Sequence, residues 1–424
     1  MSRRSTARQK DADGSAEEDP LAPFHPAVQA WFRSAFGQPT EPQMQGWRAI
    51  ARGESTLILA PTGSGKTLAA FLFCLNRLLF EPRPETAARC RILYVSPIKA
   101  LAVDIERNLR APLIGVSRVA EGLGVPFTLP EVRIRTGDTT QSERAKFLRQ
   151  PSDILITTPE SLYLMLTSSA RTLLGGVDTV IIDEIHTLVG SKRGAHLALS
   201  LERLAAMAGR PLQRIGLSAT ARPQDEVAHF LGGANVAARK DDEPASDAEA
   251  GPPLISFRPV TVVANSPRRQ LELRIQVPVE DMERLSNFED LPSGSAAQGP
   301  RRPSIWSSLQ PQLLTLIRTH QTTLLFVNSR RVAERLAAAI NDLDAEQTQG
   351  AEADSAAPPR PPLVRAHHGS LAYKQRQEIE DQLKLGQLRA LVATSSLELG
   401  IDMGTVDLVV QIESPPSVAS GLQR

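Results

Sequence analysis

The sequence predicts an α/β protein with two tandem domains, each built on a parallel sheet. Short apolar runs stop abruptly at small or polar residues, and helix-like stretches such as GAHLALSLERLAAMAG (194–209) separate them. The runs are continuous rather than alternating, which is typical of strands that are buried on both faces of a sheet. Polar segments between the runs divide the chain into two groups of strands.

The first group of runs predicts the strands of a domain that covers residues 23–238, and the second group predicts those of a domain that covers 304–424. In the first domain the runs are TLILA (56–60), RILYVS (91–96), DILITT (153–158), TVIID (179–183) and RIGLSA (214–219). In the second domain they are TTLLFVN (322–328), LVRAHH (363–368), ALVATS (390–395) and DLVVQIE (407–413). Because ligands of parallel α/β sheets bind outside the carboxyl ends of the strands, we expect the functional residues there.

Four segments are too polar or too rich in Pro, Gly and Ser to predict a packed structure. We expect a disordered tail at 1–22, a linker at 239–303 with low-complexity insertions (239–253 and 286–304), and a disordered insertion at 341–362. Within the linker, the alternating pattern of 254–285 predicts antiparallel strands that join or decorate the two domains.

Composition excludes several classes of protein. The formal net charge of the 424 residues is +1, so any nucleic-acid-binding surface has to be a local basic patch. Cys74 and Cys90 are the only cysteines and form no CxxC pair, which argues against a disulfide framework or a zinc site and suits a reducing cytoplasm. No apolar stretch reaches the ~18 residues of a membrane span, and the polar N-terminus has no signal-peptide core. We therefore expect a cytoplasmic protein without a membrane partner.

The octapeptide APTGSGKT (60–67) lies between the first apolar run and a helix-like stretch. Its spacing matches the phosphate-binding P-loop, with Ala60 in place of the first glycine. Gly63 and Gly65 would let the loop curl so that backbone N–H groups face an anion, and the helix that begins near Lys66 adds its positive end. The alternative is an ordinary Gly/Ser turn, but the position between strand and helix favours the phosphate site.

We therefore predict that this loop binds ATP and Mg²⁺. Lys66 would supply a positive charge to the β- and γ-phosphates, and the Thr67 hydroxyl would ligate Mg²⁺. The residues expected to contact the nucleotide are Thr62, Gly63, Ser64, Gly65, Lys66 and Thr67.

Asp183 and Glu184 stand side by side at the end of the apolar run 179–183. Two adjacent carboxylates there form either a solvated turn or a site for a cation or a water. The P-loop favours the second interpretation, because in P-loop folds a second apolar strand that ends in Asp holds Mg²⁺. We predict that Asp183 binds Mg²⁺ and that Glu184 activates the attacking water. His186 has no second histidine at i+4, so we interpret it as a coupling or packing residue.

The remaining polar clusters resemble the ordered motif set of the superfamily 2 helicases. PTEPQ (39–43) resembles the Q motif, and SAT (218–220) resembles the motif that couples ATP to strand movement. Three further clusters resemble motifs that hold the backbone of a single strand: SPIKAL (96–101), RTGD (135–138) and TTPESL (157–162). In the second domain, three segments resemble motifs IV to V of these helicases: FVNSRR (326–331), HHGS (367–370) and ATSSLELGIDMG (393–404).

This resemblance implies a role for each matching residue. Gln43 would read adenine, Gly400 and Asp402 would face the nucleotide, and His186, Ser218 and Thr220 would couple the two activities. The implied nucleic-acid contacts are Pro97, Lys99, Thr136, Gly137, Thr158, Asn328, Ser329, Arg330 and Thr394. Contacts to the strand backbone carry no base information, so we expect little sequence preference and a clear dependence on salt.

Longer stretches, including YVSPIKALAVDIERNL (94–109) and ILITTPESLYLMLTS (154–168), resemble the large helicase-related (Lhr) family. The resemblance extends over nearly all of 24–424 apart from the low-complexity insertions. It implies two RecA-like P-loop domains with ATP in the cleft between them. It also implies a monomeric 3′→5′ translocase on single-stranded DNA that separates DNA duplexes or RNA–DNA hybrids, with a link to DNA repair.

The sequence departs from this family at its end. The sixth motif of the family begins Gln-Arg and continues with further arginines, whereas the sequence stops at Gln423 and Arg424. We therefore expect an incomplete second domain without arginine fingers, which contribute ~10³–10⁵ in turnover in related enzymes. The expected behaviour is binding of ATP–Mg²⁺ and of some nucleic acid, with poor hydrolysis.

Two other interpretations stay open from the sequence. One is an RNA helicase, or a translocase that does not unwind, because DEIH (183–186) does not distinguish DNA from RNA. The other is a catalytically inert nucleic-acid-binding fragment.

Overall fold

The structure is a computed structural model that describes residues 19–61, 63–219, 223–236, 255–264, 272–277, 305–349, 361–394, 397, 406–416 and 418–424. The chain divides into two compact units. The first comprises 1–218 and 222–265, and the second comprises 219–221 and 266–424.

The first unit is built on a seven-stranded sheet in which all neighbouring strands are parallel. The strands of this unit, in chain order, are β1 (Thr56–Leu59), β2 (Ile92–Val95), β3 (Val132–Arg135), β4 (Ile154–Thr157), β5 (Thr179–Ile182), β6 (Gln213–Ser218), β7 (Ala234–Val236), β8 (Ile255–Phe257) and β9 (Thr261–Ala264). The sheet has the order β3-β4-β2-β5-β6-β1-β9, while β7 and β8 form a separate antiparallel pair. The strands that end in the P-loop and in the acidic pair, β1 and β5, therefore flank β6.

Helices surround this sheet. They are α1 (Pro26–Phe36), α2 (Glu41–Ala51), α3 (Lys66–Phe80), α4 (Lys99–Gly122), α5 (Gln141–Arg149), α6 (Pro159–Leu166), α7 (Lys192–Ala208) and α8 (Gln224–Gly232). Short 3₁₀ turns occupy Thr86–Ala88, Ser169–Leu174 and Ile185–Thr187. Alternate strand residues point to opposite faces. Ile58, Tyr94 and Ile181 pack in one core with residues of α1 to α4, and Leu57, Leu93 and Val180 are buried on the other face.

The second unit contains a four-stranded parallel sheet with the order β11-β12-β10-β13. Its strands are β10 (Thr323–Phe326), β11 (Val364–His367), β12 (Ala390–Ala393) and β13 (Leu408–Gln411). Its helices are α9 (Ile305–Thr319), α10 (Arg330–Gln349), α11 (Tyr373–Lys384) and α12 (Val418–Gln423). Leu325 and Val392 pack in a cluster with residues of α9 and α10, whereas Leu324 and Leu391 pack with residues of α11 on the opposite face.

The predicted α/β fold class with two parallel sheets is confirmed. Each predicted apolar run contains a strand, but β3 and the three-residue strand β7 were not predicted. The sequence of β3, VRIR, is not a continuous apolar run, because β3 is an edge strand whose side chains are only half-buried. No helix in the described ranges is both long and apolar enough to cross a membrane.

Three predictions at the domain boundaries are wrong, at least for part of the predicted range. Leu21 belongs to the predicted tail, yet it is buried in the first core. In the predicted antiparallel region 254–285, β8 does pair antiparallel with β7, but β9 runs parallel to β1 and residues 272–277 form no regular structure. Residues 341–349 of the predicted disordered insertion continue α10, where Asn341 is hydrogen-bonded to both backbone groups of Val364.

Candidate active site

The loop after β1 takes its shape from two glycines with a left-handed backbone. The φ angles of Gly63 and Gly65 are 78° and 79°, a conformation that other residues adopt only with strain. A Cβ atom on Gly65 would also lie 2.4 Å from the side-chain nitrogen of Gln43. The loop closes through the N–H of Ser64, which donates to the Pro61 carbonyl at 3.3 Å. Thr62, which we expected to contact the nucleotide, lies outside the described residues.

Gln43 is buried against this loop. Its Oε1 accepts the backbone N–H of Thr40 at 2.9 Å, and its Nε2 donates to the Gly65 carbonyl at 3.4 Å. The Thr40 hydroxyl donates to the Ser64 carbonyl at 3.0 Å. The first turn of α2 therefore braces the P-loop in this structure, and adenine reading by Gln43 stays a prediction. The contribution of Thr40 was not predicted from the sequence, although the spacing of Thr40 and Gln43 is that of a helix capping box.

Lys66 and Glu184 form a buried ion pair. Their charged atoms lie 3.4 Å apart, and the two side chains are only 8% and 4% exposed. Lys66 begins α3 directly after the loop, and Glu184 follows β5, so two distant parts of the chain converge on one point. Thr67, the second residue of α3, is half-buried.

Asp183 lies beside this pair, and its carboxylate accepts two hydrogen bonds. Oδ1 accepts the backbone N–H of Glu184 at 2.9 Å, and Oδ2 accepts the hydroxyl of Tyr94. Burial, followed by repulsion from Glu184, raises the pKa of Asp183 to about 6. Burial also raises the pKa of Tyr94 well above its usual value, and the neighbouring Asp183 raises it further. Tyr94 was not predicted from the sequence; the available signal was a hydroxyl within an otherwise aliphatic buried strand, because a buried Tyr hydroxyl needs a partner.

Glu184 has a strained backbone. Among the described residues it is the one non-glycine residue with a positive φ, at 42°, a conformation that costs about 1–2 kcal/mol. Its Oε2 atom accepts no hydrogen bond from the described residues, and Nδ1 of His186 lies 3.5 Å from it. Such outliers occur at functional sites, where the surrounding structure holds the strained residue in place.

His186 connects the acidic pair to the end of β6. Its Nδ1 lies 2.9 Å from the hydroxyl of Ser218. The structure thus brings together two of the three residues expected to couple ATP to strand movement, while Thr220 lies outside the described residues.

The donor set fits Mg²⁺, since the Thr67 hydroxyl and the Asp183 carboxylate are hard oxygen ligands. Each Asp183 oxygen accepts a single hydrogen bond from the described residues, which leaves lone pairs for a cation. The described residues contain no cluster of three or more His, Cys, Asp or Glu that could hold a metal.

The predicted strand-contact residues of the first unit lie after β2, β3 and β4. Lys99 is exposed and pairs with Asp138 at 2.5 Å, and a Cβ atom on Gly137 would lie 3.4 Å from the Lys99 ammonium. Thr136 and Thr158 are buried, and Thr158 caps α6. Pro97 is buried as well. The structure therefore places Lys99 and Gly137 together at the surface, whereas Pro97, Thr136 and Thr158 have buried side chains.

In the second unit the corresponding residues lie at the carboxyl ends of β10 and β12. Arg330 donates to the hydroxyl of Ser370 at 2.5 Å, and Ser329 accepts the N–H of Ala333 at the start of α10. Thr394 donates its backbone N–H to the carbonyl of His367 at 3.2 Å.

Asn328 is held by the segment after β13. Its backbone N–H donates to Glu413 at 2.8 Å, and its side-chain amide donates to the Ser414 carbonyl at 2.9 Å. Gly400 and Asp402, which we expected to face the nucleotide, lie outside the described residues.

Comparison with protein families identifies both units. The DEAD/DEAH box helicase family matches residues 40–227, and the helicase conserved C-terminal domain matches residues 308–424.

Similar proteins include the Lhr helicase/probable uracil glycosylase of Mycolicibacterium smegmatis, which is 47% identical over 426 residues. That alignment covers 96% of this chain and 26% of the relative. The ATP-dependent helicase Lhr-Core of Methanocaldococcus jannaschii is 39% identical over 399 residues, which covers 94% of this chain and 41% of the relative. The chain thus spans about a quarter to two fifths of the length of these relatives.

A similar solved structure is that of the Mycobacterium smegmatis helicase Lhr bound to ssDNA and AMP-PNP. It has a TM-score of 0.76 and 48% sequence identity, and the match covers 96% of this chain and 46% of that one.

Proposed function

Because the chain belongs to the superfamily 2 DEAD/DEAH-type helicases and is similar to Lhr helicases over most of its length, we propose that it is an ATP-dependent translocase on single-stranded DNA. It would move 3′→5′ and separate DNA duplexes or RNA–DNA hybrids. The observation that carries this proposal is the convergence of Lys66, Asp183 and Glu184 on one buried point at the P-loop.

The geometry supports a sequence of events in which Lys66 changes partner. In the structure its ammonium is paired with Glu184 at 3.4 Å. The phosphates of ATP would compete for that ammonium, and the Glu184 carboxylate would then be free to accept a proton from the attacking water. When bound, Mg²⁺ would be held by Thr67 and Asp183 and would neutralise charge that develops on the phosphate oxygens. His186 lies between Glu184 and Ser218, and its Nδ1 contacts the Ser218 hydroxyl. A shift of the Glu184 side chain would therefore be transmitted through His186 to Ser218.

Strand binding is supported by the positions of exposed cations and polar groups. Lys99 beside Gly137 and Arg330 beside Ser370 lie after strands, where backbone phosphates would be held without reading bases. The similar Lhr structure contains ssDNA, which supports DNA as the strand.

The test of this function is ATP turnover with and without a single-stranded oligonucleotide. We expect stimulation by DNA, and a loss of ~10²–10⁴-fold in turnover for Glu184→Gln with nucleotide binding retained. Glu346→Gln, which removes an exposed carboxylate on α10, is the matched control and should turn over ATP at the wild-type rate. Normal turnover by Glu184→Gln would exclude the proposed role of Glu184. Stronger stimulation of ATP turnover by RNA than by DNA of equal length would show that the bound strand is RNA.

The direction of translocation along the strand needs a separate experiment. Duplexes with a 3′ or a 5′ single-stranded tail, and the same duplexes with one RNA strand, would be compared for ATP-dependent separation. We expect separation with the 3′ tail only. A role in DNA repair, which the resemblance implies, would be tested by the sensitivity of a gene-deletion strain to DNA-damaging agents.

A further inference from the structure

A fully buried tyrosine connects the two halves of the candidate nucleotide site. Tyr94 lies in β2 and has no exposed surface. Its hydroxyl donates to Oδ2 of Asp183, and its ring stacks on Phe71 of α3 with the ring centroids 5.2 Å apart. Because α3 begins at Lys66, the tyrosine contacts both the helix of the P-loop and the acidic end of β5.

The register of the sheet explains why this side chain reaches the carboxylate. β2 and β5 are neighbours, and Tyr94 is directly opposite Ile181. Residues two apart on a strand point to the same face, so Tyr94, Ile181 and Asp183 share one face of the sheet. A tyrosine side chain is long enough to lean towards the carboxyl end of the neighbouring strand, whereas the aliphatic residues of the same strand carry no donor.

We infer that Tyr94 is a positioning residue for the metal-facing carboxylate. The N–H of Glu184 fixes one oxygen of Asp183 at 2.9 Å, and the Tyr94 hydroxyl fixes the other. With both oxygens held, the carboxylate cannot rotate, and its remaining lone pairs keep one direction. Partners of this kind orient the groups that ligate metals, and their removal typically weakens metal binding by ~10–100-fold.

This inference rests on the proposed ATP site, since it assigns Asp183 to Mg²⁺. A purely structural tyrosine would fill space between Phe71 and the sheet, and its hydroxyl would matter only for folding. The positioning role and the structural role of Tyr94 predict different nucleotide affinities in the presence and in the absence of Mg²⁺. Lys66 and the loop N–H groups bind phosphate in both cases, whereas Asp183 acts through Mg²⁺.

The experiment is a fluorescence titration of the protein with a ribose-labelled fluorescent ATP analogue, in Mg²⁺ and in EDTA. For Tyr94→Phe we expect the Kd in Mg²⁺ to rise ~10–100-fold and the Kd in EDTA to stay at the wild-type value. Tyr163→Phe, at a partly exposed tyrosine on α6, is the matched control and should leave both values unchanged. Thermal unfolding in EDTA verifies that each variant is folded.

A double-mutant cycle keeps the inference testable if Tyr94→Phe is less stable. In an Asp183→Asn background, Tyr94→Phe should have no further effect on the Mg²⁺-dependent Kd, because its partner is already changed. Wild-type affinity of Tyr94→Phe in Mg²⁺, or equal weakening in Mg²⁺ and EDTA, would overturn the inference. An absence of nucleotide binding by the wild-type protein would instead overturn the proposed function.

Discussion

The ammonium of Lys66 lies 3.4 Å from the carboxylate of Glu184, and both side chains are more than nine-tenths buried. Two charges removed from water are tolerated because each compensates the other. Neither residue can therefore be changed without an effect on its partner.

We predict that Lys66→Ala destabilises the protein by about 3–5 kcal/mol, because it leaves the buried Glu184 carboxylate without a cation. The double variant Lys66→Ala/Glu184→Gln should recover most of that loss. Unfolding in denaturant would measure both values, with Lys192→Ala, at an exposed lysine, as the control. Additive effects of the two substitutions would show that the charges do not interact.

Asp183 gives a prediction for pH. The folded protein disfavours the ionised carboxylate and raises its pKa from 3.8 to about 6, so the contribution of Asp183 to the stability of the wild-type protein falls as pH rises from 4 to about 6. Asp183→Asn removes this cost, and at pH 8 it should stabilise the metal-free protein by at most about 3 kcal/mol, from 1.36 kcal/mol for each pKa unit. At pH 4 the gain should nearly vanish. Denaturant unfolding in EDTA at the two pH values measures the difference, and an equal effect at both would contradict a raised pKa.

Arg330 gives a prediction for strand binding. Its guanidinium lies against the Ser370 hydroxyl at 2.5 Å, after β10. If it binds a phosphate, Arg330→Ala should weaken binding of single-stranded DNA and reduce the slope of log K against log salt by ~0.7. Fluorescence anisotropy at several salt concentrations measures both quantities. Arg331→Ala removes the same charge from the next, exposed position and should reduce the slope less.

Cys74 and Cys90 give a prediction for thiol chemistry. Burial raises the pKa of both thiols to about 12, so almost no thiolate is present at pH 8. We expect a disulfide reagent to modify neither thiol in the native protein and both in denaturant. Modification of one thiol at the rate of free cysteine would show that its side chain is accessible.

The sequence was sufficient for the fold class, since continuous apolar runs predict parallel strands and each run contains one. The sequence was insufficient where a segment's composition does not match the secondary structure that it forms. VRIR (132–135) became an edge strand without an apolar run, and residues 341–349 became helix despite their polar composition. In the latter case Asp344 pairs with Arg318 of α9 and Leu343 packs on the core, contacts that no local pattern contains.

By itself, the sequence determined the types and the order of the residues of the nucleotide site, because the P-loop and the DEIH motif are local patterns. Only the tertiary structure decided which side chains meet. Strand order places β1 and β5 on either side of β6, which lets Lys66 reach Glu184 across 118 positions of sequence. The register of β2 against β5 decided that Tyr94 holds Asp183. Such pairings depend on the packing of the whole sheet, and this information is not contained in any single segment of the chain.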